Sequence, residues 1–172
     1  ILTDGSTSGV LSMLYAVKPY GNKVIIPVNC HQSVYNACKL FGLEPVIARG
    51  EFVNGVLMPP RPEQIYKLLS AHSGVCAMVA ISPDYYGNIA PLAEYSRILK
   101  AQGKFLLVDG AHGGHLFTER KSGIYAGVYA DLWVDGAHKT LPTLTQGALL
   151  NVNDRGLLPH VCEALGIFRT SS

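Results

Sequence analysis

Short, wholly apolar runs alternate along this chain with longer stretches in which apolar residues return every three or four positions. Residues 75–81 (Val-Cys-Ala-Met-Val-Ala-Ile) and 105–108 (Phe-Leu-Leu-Val) contain no charged or hydroxyl side chain. That is the pattern of strands buried on both faces rather than the alternation of a half-exposed sheet. Shorter strands are predicted over 23–26, 45–48, 130–134 and 148–152. Between them the period changes to that of a helix. Over 31–40, Val34, Ala37 and Cys38 fall on one face with Phe41 just beyond. A second helix covers 62–71, with Pro62 in its first turn. A third covers 91–101 and is closed by Gly103. An apolar helix also runs from the Gly5–Gly9 segment to about Val17, and the chain is helical from Asp154 onward.

Strands separated by helices of this length need crossover connections. They predict an α/β fold: three layers, α/β/α, around a mainly parallel central sheet. No repeat, low-complexity tract or linker interrupts the pattern, so residues 1–172 read as one domain. In such sheets ligands gather at the carboxyl ends of the strands.

Composition narrows the function classes. Of the 172 residues 48% are hydrophobic and 15% charged, with a formal net charge of +2. This is a globular chain with no electrostatic footprint for nucleic acid or an anionic membrane. It has no run of about 18 apolar residues that would span a bilayer. Ile1-Leu2-Thr3-Asp4-Gly5 offers neither a positive leader nor a cleavage site. Without a starting Met, and ending on Arg169-Thr170-Ser171-Ser172, the sequence is expected to be a piece of a longer protein. Cys30, Cys38, Cys76 and Cys162 form no C-x-x-C pair and are expected to be reduced thiols of a cytoplasmic protein.

Four segments carry polar groups at predicted strand ends. Gly5-Ser6-Thr7-Ser8-Gly9 opens a helix, where free backbone N–H groups, glycines and hydroxyls suit a phosphate; an ordinary helix cap is the alternative. The spacing is not that of a Walker loop, since no lysine follows at the right place. Asn29-Cys30-His31 ends a strand and starts a helix, so His31 is either a locally bonded helix-start residue or a ring stacked on a flat ligand. Asp109 ends the most apolar strand, where a carboxylate is costly without a partner. A protonated pyridine nitrogen is one such partner. A metal held by Asp109, His112 and His115 is the rival. Lys139 lies in a stretch, 132–150, whose only other charge is Asp135; it is either a solvated surface lysine or an amine for Schiff-base chemistry. Phosphate cup, ring stacker, pyridinium carboxylate and lysine, in that chain order, are the parts of one pyridoxal-phosphate site.

The segments Thr3–Gly9, Asn29–Ser33, Pro83-Asp84-Tyr85-Tyr86-Gly87, Val108–His112 and His138–Gly147 together resemble the major domain of the ornithine/lysine/arginine decarboxylases, of the aspartate-aminotransferase fold (fold type I). The resemblance implies a pyridoxal 5'-phosphate enzyme that decarboxylates a basic amino acid, as a homodimer or higher homo-oligomer. It implies that Ser6 and Thr7 bind the phosphate, His31 stacks on the ring, Asp109 pairs with the ring nitrogen and Lys139 holds the cofactor. His138 would lie near the phosphate and His112 near the ring substituents. Tyr85 and Tyr86 would line the approach, and Thr170-Ser171 would reach a neighbouring subunit. The chain departs from the family pattern at Gly136-Ala137, where many members carry Ser-Thr or Ser-Ala before His-Lys; a phosphate-binding hydroxyl is absent there. The fragment alone is expected to bind cofactor weakly and to turn over little.

Overall fold

A computed structural model describes residues 1–169. In chain order it contains β1 (Leu2–Thr3), α1 (Ser6–Val17), β2 (Lys23–Pro27), α2 (Gln32–Phe41), β3 (Glu44–Ala48), β4 (Phe52–Val53), β5 (Val56–Leu57), α3 (Pro62–Ala71), β6 (Val75–Ile81), α4 (Leu92–Lys100), β7 (Phe105–Gly110), β8 (Leu132–Asp135), α5 (Ala137–Thr140), β9 (Ala148–Val152) and α6 (Leu158–Phe168). Two 3-10 stretches, Gly114–Ser122 and Ala126–Val128, link β7 to β8.

The main sheet has the order β1-β9-β8-β7-β6-β2-β3. The five strands from β8 to β3 are parallel, whereas β9 runs antiparallel to both β8 and β1. The expectation of a mainly parallel sheet therefore holds, with an antiparallel edge built from the chain's first residues and β9. That edge was not predicted: β1 is only two residues long, too short for any periodicity. The β4–β5 hairpin was missed for the same reason.

Successive residues of the central strands serve opposite cores, as the two-residue period of a strand requires. Ala77 and Val79 of β6, Leu107 of β7 and Val134 of β8 pack under α1, α2 and α6. Met78, Ala80, Leu106, Val108 and Trp133 pack under α3, α4 and the 3-10 stretches. Helix α1 lies against the sheet so closely that a Cβ on Gly9 would come within 2.7 Å of Val134 Cγ2. Gly9 is thus a helix-packing glycine, not one that opens room for a phosphate as its place in the Gly5–Gly9 segment suggested.

The other element boundaries depart from expectation by at most two residues, except the start of the final helix. Helix α2 begins at Gln32, with His31 as its cap. The final helix begins at Leu158, after a 3-10 turn over Arg155–Leu157 capped by Asp154.

Leu107, fully buried in β7, measures the dependence of the fold on this two-sided packing. Leu107→Ala is expected to lower unfolding free energy by about 2–5 kcal/mol, read by denaturant titration.

Candidate active site

Parallel pairing brings the carboxyl ends of β2, β6, β7 and β8 to one edge. Asp109 of β7 is in register with Ile81 of β6 and Val134 of β8, and Gly110 with Asp135. Above this edge lies a cleft of about 430 Å³, lined among others by Ser6, Thr7, His31, Asp109, His112, His138 and Lys139. Every residue that the resemblance assigns to the cofactor site, within the described chain, reaches this one cleft. Tyr85 and Tyr86 also line it, as highly exposed rings in edge-to-face contact. Thr170 and Ser171 lie outside the described residues.

At one side of the cleft is the start of α1. Its cap, Gly5, has no side chain to bond the first-turn N–H groups. Ser8 Oγ and Thr3 Oγ1 both donate to Gly5 O, away from those groups. Ser6 Oγ is buried with no hydrogen-bond partner, a costly state for a hydroxyl. N–H groups that the cap residue leaves unbonded by a side chain, at the positive end of a helix and beside an orphaned hydroxyl, suit an oxyanion.

The floor is Asp109, 7% exposed. One hydrogen bond, from Ala111 N at 3.1 Å, reaches its Oδ1. Burial pushes its carboxyl above the usual carboxylate range. That bond and the charges of Lys139, His31 and His112 pull the other way. Burial, reinforced by Lys139, holds the His112 imidazole below its usual range, against Asp109 and Asp84. The ring of His112 meets Tyr85 edge-on at 6.0 Å.

Lys139 sits on the one-turn helix α5 and is exposed on the cleft side. His138, beside it, donates from Nδ1 to Gly147 O at 2.8 Å, because a carbonyl can only accept. His31 caps α2: its Nδ1 accepts from Ser33 N at 3.2 Å. It is therefore a locally bonded helix-start residue and a cleft residue at once.

The rival metal reading loses its geometry. His115 lines a separate cavity with Trp133 and Asp135. Among the described residues no group of three His, Cys, Asp or Glu side chains is placed to hold a metal ion. Burial pushes the thiol of Cys30, next to His31, up to about 12.

Three contributors escaped sequence reasoning. Asp84 is buried and accepts from Tyr86 N, Asn88 N and Asn88 Nδ2, fixing the loop that carries Tyr85 and Tyr86. An Asp ahead of Gly87 is the available signal for such a turn. Ser33 reaches the cleft through its bond to His31. Asp135, just before the lysine turn, accepts through Oδ2 from Tyr125 Oη, Trp133 Nε1 and Asn151 Nδ2, which ties β8 to β9 and to the 3-10 region.

The fold and this strand-end cleft define the large domain of the fold type I class of pyridoxal-phosphate enzymes. A sphingosine-1-phosphate lyase of Burkholderia pseudomallei superposes with a TM-score of 0.78 at 20% identity, covering 93% of this chain and 39% of that one. The match to the family model "Orn/Lys/Arg decarboxylase, major domain" spans residues 1–172, and the chain belongs to that family. It is 34% identical to the uncharacterized protein YaaO of Bacillus subtilis, over 99% of this chain and 37% of that protein. It is 29% identical to an arginine decarboxylase of Bacillus cereus, over 98% of this chain and 38% of the enzyme. The chain thus spans under two-fifths of the length of these two relatives. Among the described residues no helix is long and apolar enough to cross a membrane.

The residues present fit the cofactor of that class. The orphaned Ser6 Oγ and the glycine-capped start of α1 answer a phosphate, and the buried Asp109 answers a ring N–H. Gly136 bears on the same fit. A Cβ there would stand 2.4 Å from Ala111 O and 3.1 Å from Ser6 Oγ. The backbone has closed on the glycine, so a serine would not simply add back a hydroxyl.

Two outcomes follow. Gly136→Ser is expected to destabilise the protein by about 1–3 kcal/mol through overpacking and not to tighten phosphate binding, checked by thermal melting and phosphate titration. The second concerns Asp109, whose folded carboxyl keeps its proton to higher pH than the unfolded one. Stability therefore falls as pH rises from the ordinary carboxylate range to the raised one, and stays lost above it. Asp109→Asn removes that loss. Ligand-free protein melted from acid to neutral pH should show the variant more stable near neutrality, by on the order of 3 °C, and free of the decline that Asp109 causes.

Proposed function

We propose that this chain is the cofactor-binding domain of a pyridoxal 5'-phosphate-dependent decarboxylase acting on a basic amino acid: lysine, arginine or ornithine. It is a segment of a longer chain, whose remaining parts would complete the substrate pocket, and the whole protein works as a homodimer or larger homo-oligomer in the cytoplasm. The observation that carries the reading is that Lys139 and the buried Asp109 share one cleft with the orphaned Ser6 hydroxyl.

Bound there, the cofactor supplies an electron sink for the electrons left behind when CO2 departs. Ser6, Thr7 and the first N–H groups of α1 would hold its phosphate, with His138 beside them. Asp109, as a carboxylate, would hold a proton on the ring nitrogen; that cation removes the cost that burial imposes on it. His31 would cover one face of the ring and exclude water from it. Lys139 Nζ would hold the cofactor covalently and yield that place to the substrate amine. The proton that replaces the lost carboxylate would come from Lys139 or a cleft histidine. His112, whose imidazole burial and Lys139 hold below its usual range, would approach the ring substituents.

The test uses the full-length protein. After incubation with pyridoxal 5'-phosphate and borohydride reduction, peptide mapping should find the label on Lys139, and Lys139→Ala should lose both label and turnover. Release of CO2 with an amine from lysine, arginine or ornithine is the expected product pattern. A keto acid in its place would identify another activity of the same fold. No label would overturn the cofactor assignment.

A further inference from the structure

His31 stands at the cleft as an exposed residue, and a histidine side chain turns freely about its second torsion unless something bonds it. Here one residue does so. Ser33 N lies 3.2 Å from His31 Nδ1 and Ser33 Oγ lies 2.8 Å from the same atom. An amide nitrogen can only donate, so Nδ1 carries a lone pair and the neutral ring bears its proton on Nε2. The Ser33 hydroxyl then donates to Nδ1 as well. Ser33 is 3% exposed, and among the described residues its hydroxyl has no other hydrogen bond.

The arrangement has a sequence basis. His31 occupies the cap position of α2, where a short polar side chain ordinarily accepts from the amide two or three residues on. A ring in that role gains one bond from the amide. The serine at the second position adds another from its hydroxyl, the shorter of the two. Two donors from one residue, meeting one ring nitrogen, fix both the plane of the imidazole and its tautomer.

We infer that Ser33 is a positioning residue for the site: through two donors to His31 Nδ1 it holds the imidazole in one plane, with its remaining N–H, on Nε2, free for the cleft. This rests on the reading of His31 as the residue that covers the cofactor ring. The placement matters because a flat ring covers most of a flat neighbour's face when the two planes are held parallel. A serine buried under a histidine, with no ligand contact of its own required, achieves that.

The experiment compares full-length wild type, Ser33→Ala and Ser33→Thr, each also in a His31→Ala background. In the ligand-free proteins, ring-nitrogen NMR of His31 should show Nδ1 as a hydrogen-bonded, unprotonated nitrogen in wild type. In Ser33→Ala its resonance should move toward that of an unbonded ring nitrogen, and in Ser33→Thr it should return. Titration with pyridoxal 5'-phosphate, followed by absorbance, should weaken about five-fold in Ser33→Ala, the size expected for one neutral hydrogen bond, and recover in Ser33→Thr. In the His31→Ala background, Ser33→Ala should cost nothing further. An unmoved Nδ1 resonance, or an equal loss of affinity with and without His31, would overturn the inference. Should wild type bind no pyridoxal 5'-phosphate at all, the cofactor reading fails while the NMR comparison still decides what Ser33 does.

Discussion

A carboxylate inside a parallel sheet is the constraint around which this domain is arranged. Asp109 is paired on both sides, to Ile81 and Val134, and lies beneath the cleft with a single hydrogen bond to its own chain. Burial makes its charge unfavourable, and electrostatic attraction to Lys139, His31 and His112 offsets that in part. The fold accepts this because β6 and β7 are apolar on both faces and the two cores hold the strand in place. The cost of burying Asp109 falls at the strand's carboxyl end, where a cationic ring nitrogen would relieve it. With the role proposed for Asp109, stability and function would pull in opposite directions at this residue, which is common where a site is built in advance of its ligand.

The rest of the site follows from register. Because β2, β6, β7 and β8 run parallel, their following loops all emerge on one edge. That edge receives His31 after β2, Asp84 and Tyr85 after β6, His112 after β7 and Lys139 after β8. Helix α1 enters from the antiparallel margin, and Gly9 lets it approach Val134 closely enough to set its first turn beside the same edge. The lysine turn is held from behind by Asp135, whose Oδ2 gathers donors from Tyr125, Trp133 and Asn151. One carboxylate is thus left short of partners facing the cleft, while the next strand's carboxylate is supplied with three and serves as an anchor.

What the sequence made legible was whatever depended on period or on composition over several residues. The buried strands, the helices between them and the parallel class could all be read from apolar runs, because two-sided burial leaves no polar alternation to confuse them. Asp109 and Lys139 stood out because each is a charge in an apolar neighbourhood. The parts not legible were those fixed by contact across distance or by very short pieces of chain. The pairing of Leu2–Thr3 with β9 has no local signal. Gly9 looked like a phosphate glycine until Val134 was found against it. Gly136 looked like a missing hydroxyl, whereas the backbone oxygen of Ala111 occupies the space that a side chain needs. Ser33 and Asp135 carry no local signal of a role, because their significance lies in their hydrogen-bond partners.

The two exposed histidines of the cleft show how far backbone groups set the chemistry of side chains here. His31 turns its Nδ1 toward the amide of its own helix, so that nitrogen is bare and Nε2 carries the proton of the neutral ring. His138 turns its Nδ1 toward the carbonyl of Gly147, so that nitrogen carries the proton and Nε2 is bare. The same residue type therefore offers a donor in one place and an acceptor in the other. Neither choice is made by a charged neighbour. Each follows from which end of a backbone element lies within reach: a helix start presents N–H, and the entry to β9 presents C=O. A neutral histidine exchanged between these positions would keep its composition and lose its chemistry, because the donor and the acceptor belong to the backbone and only the ring belongs to the residue.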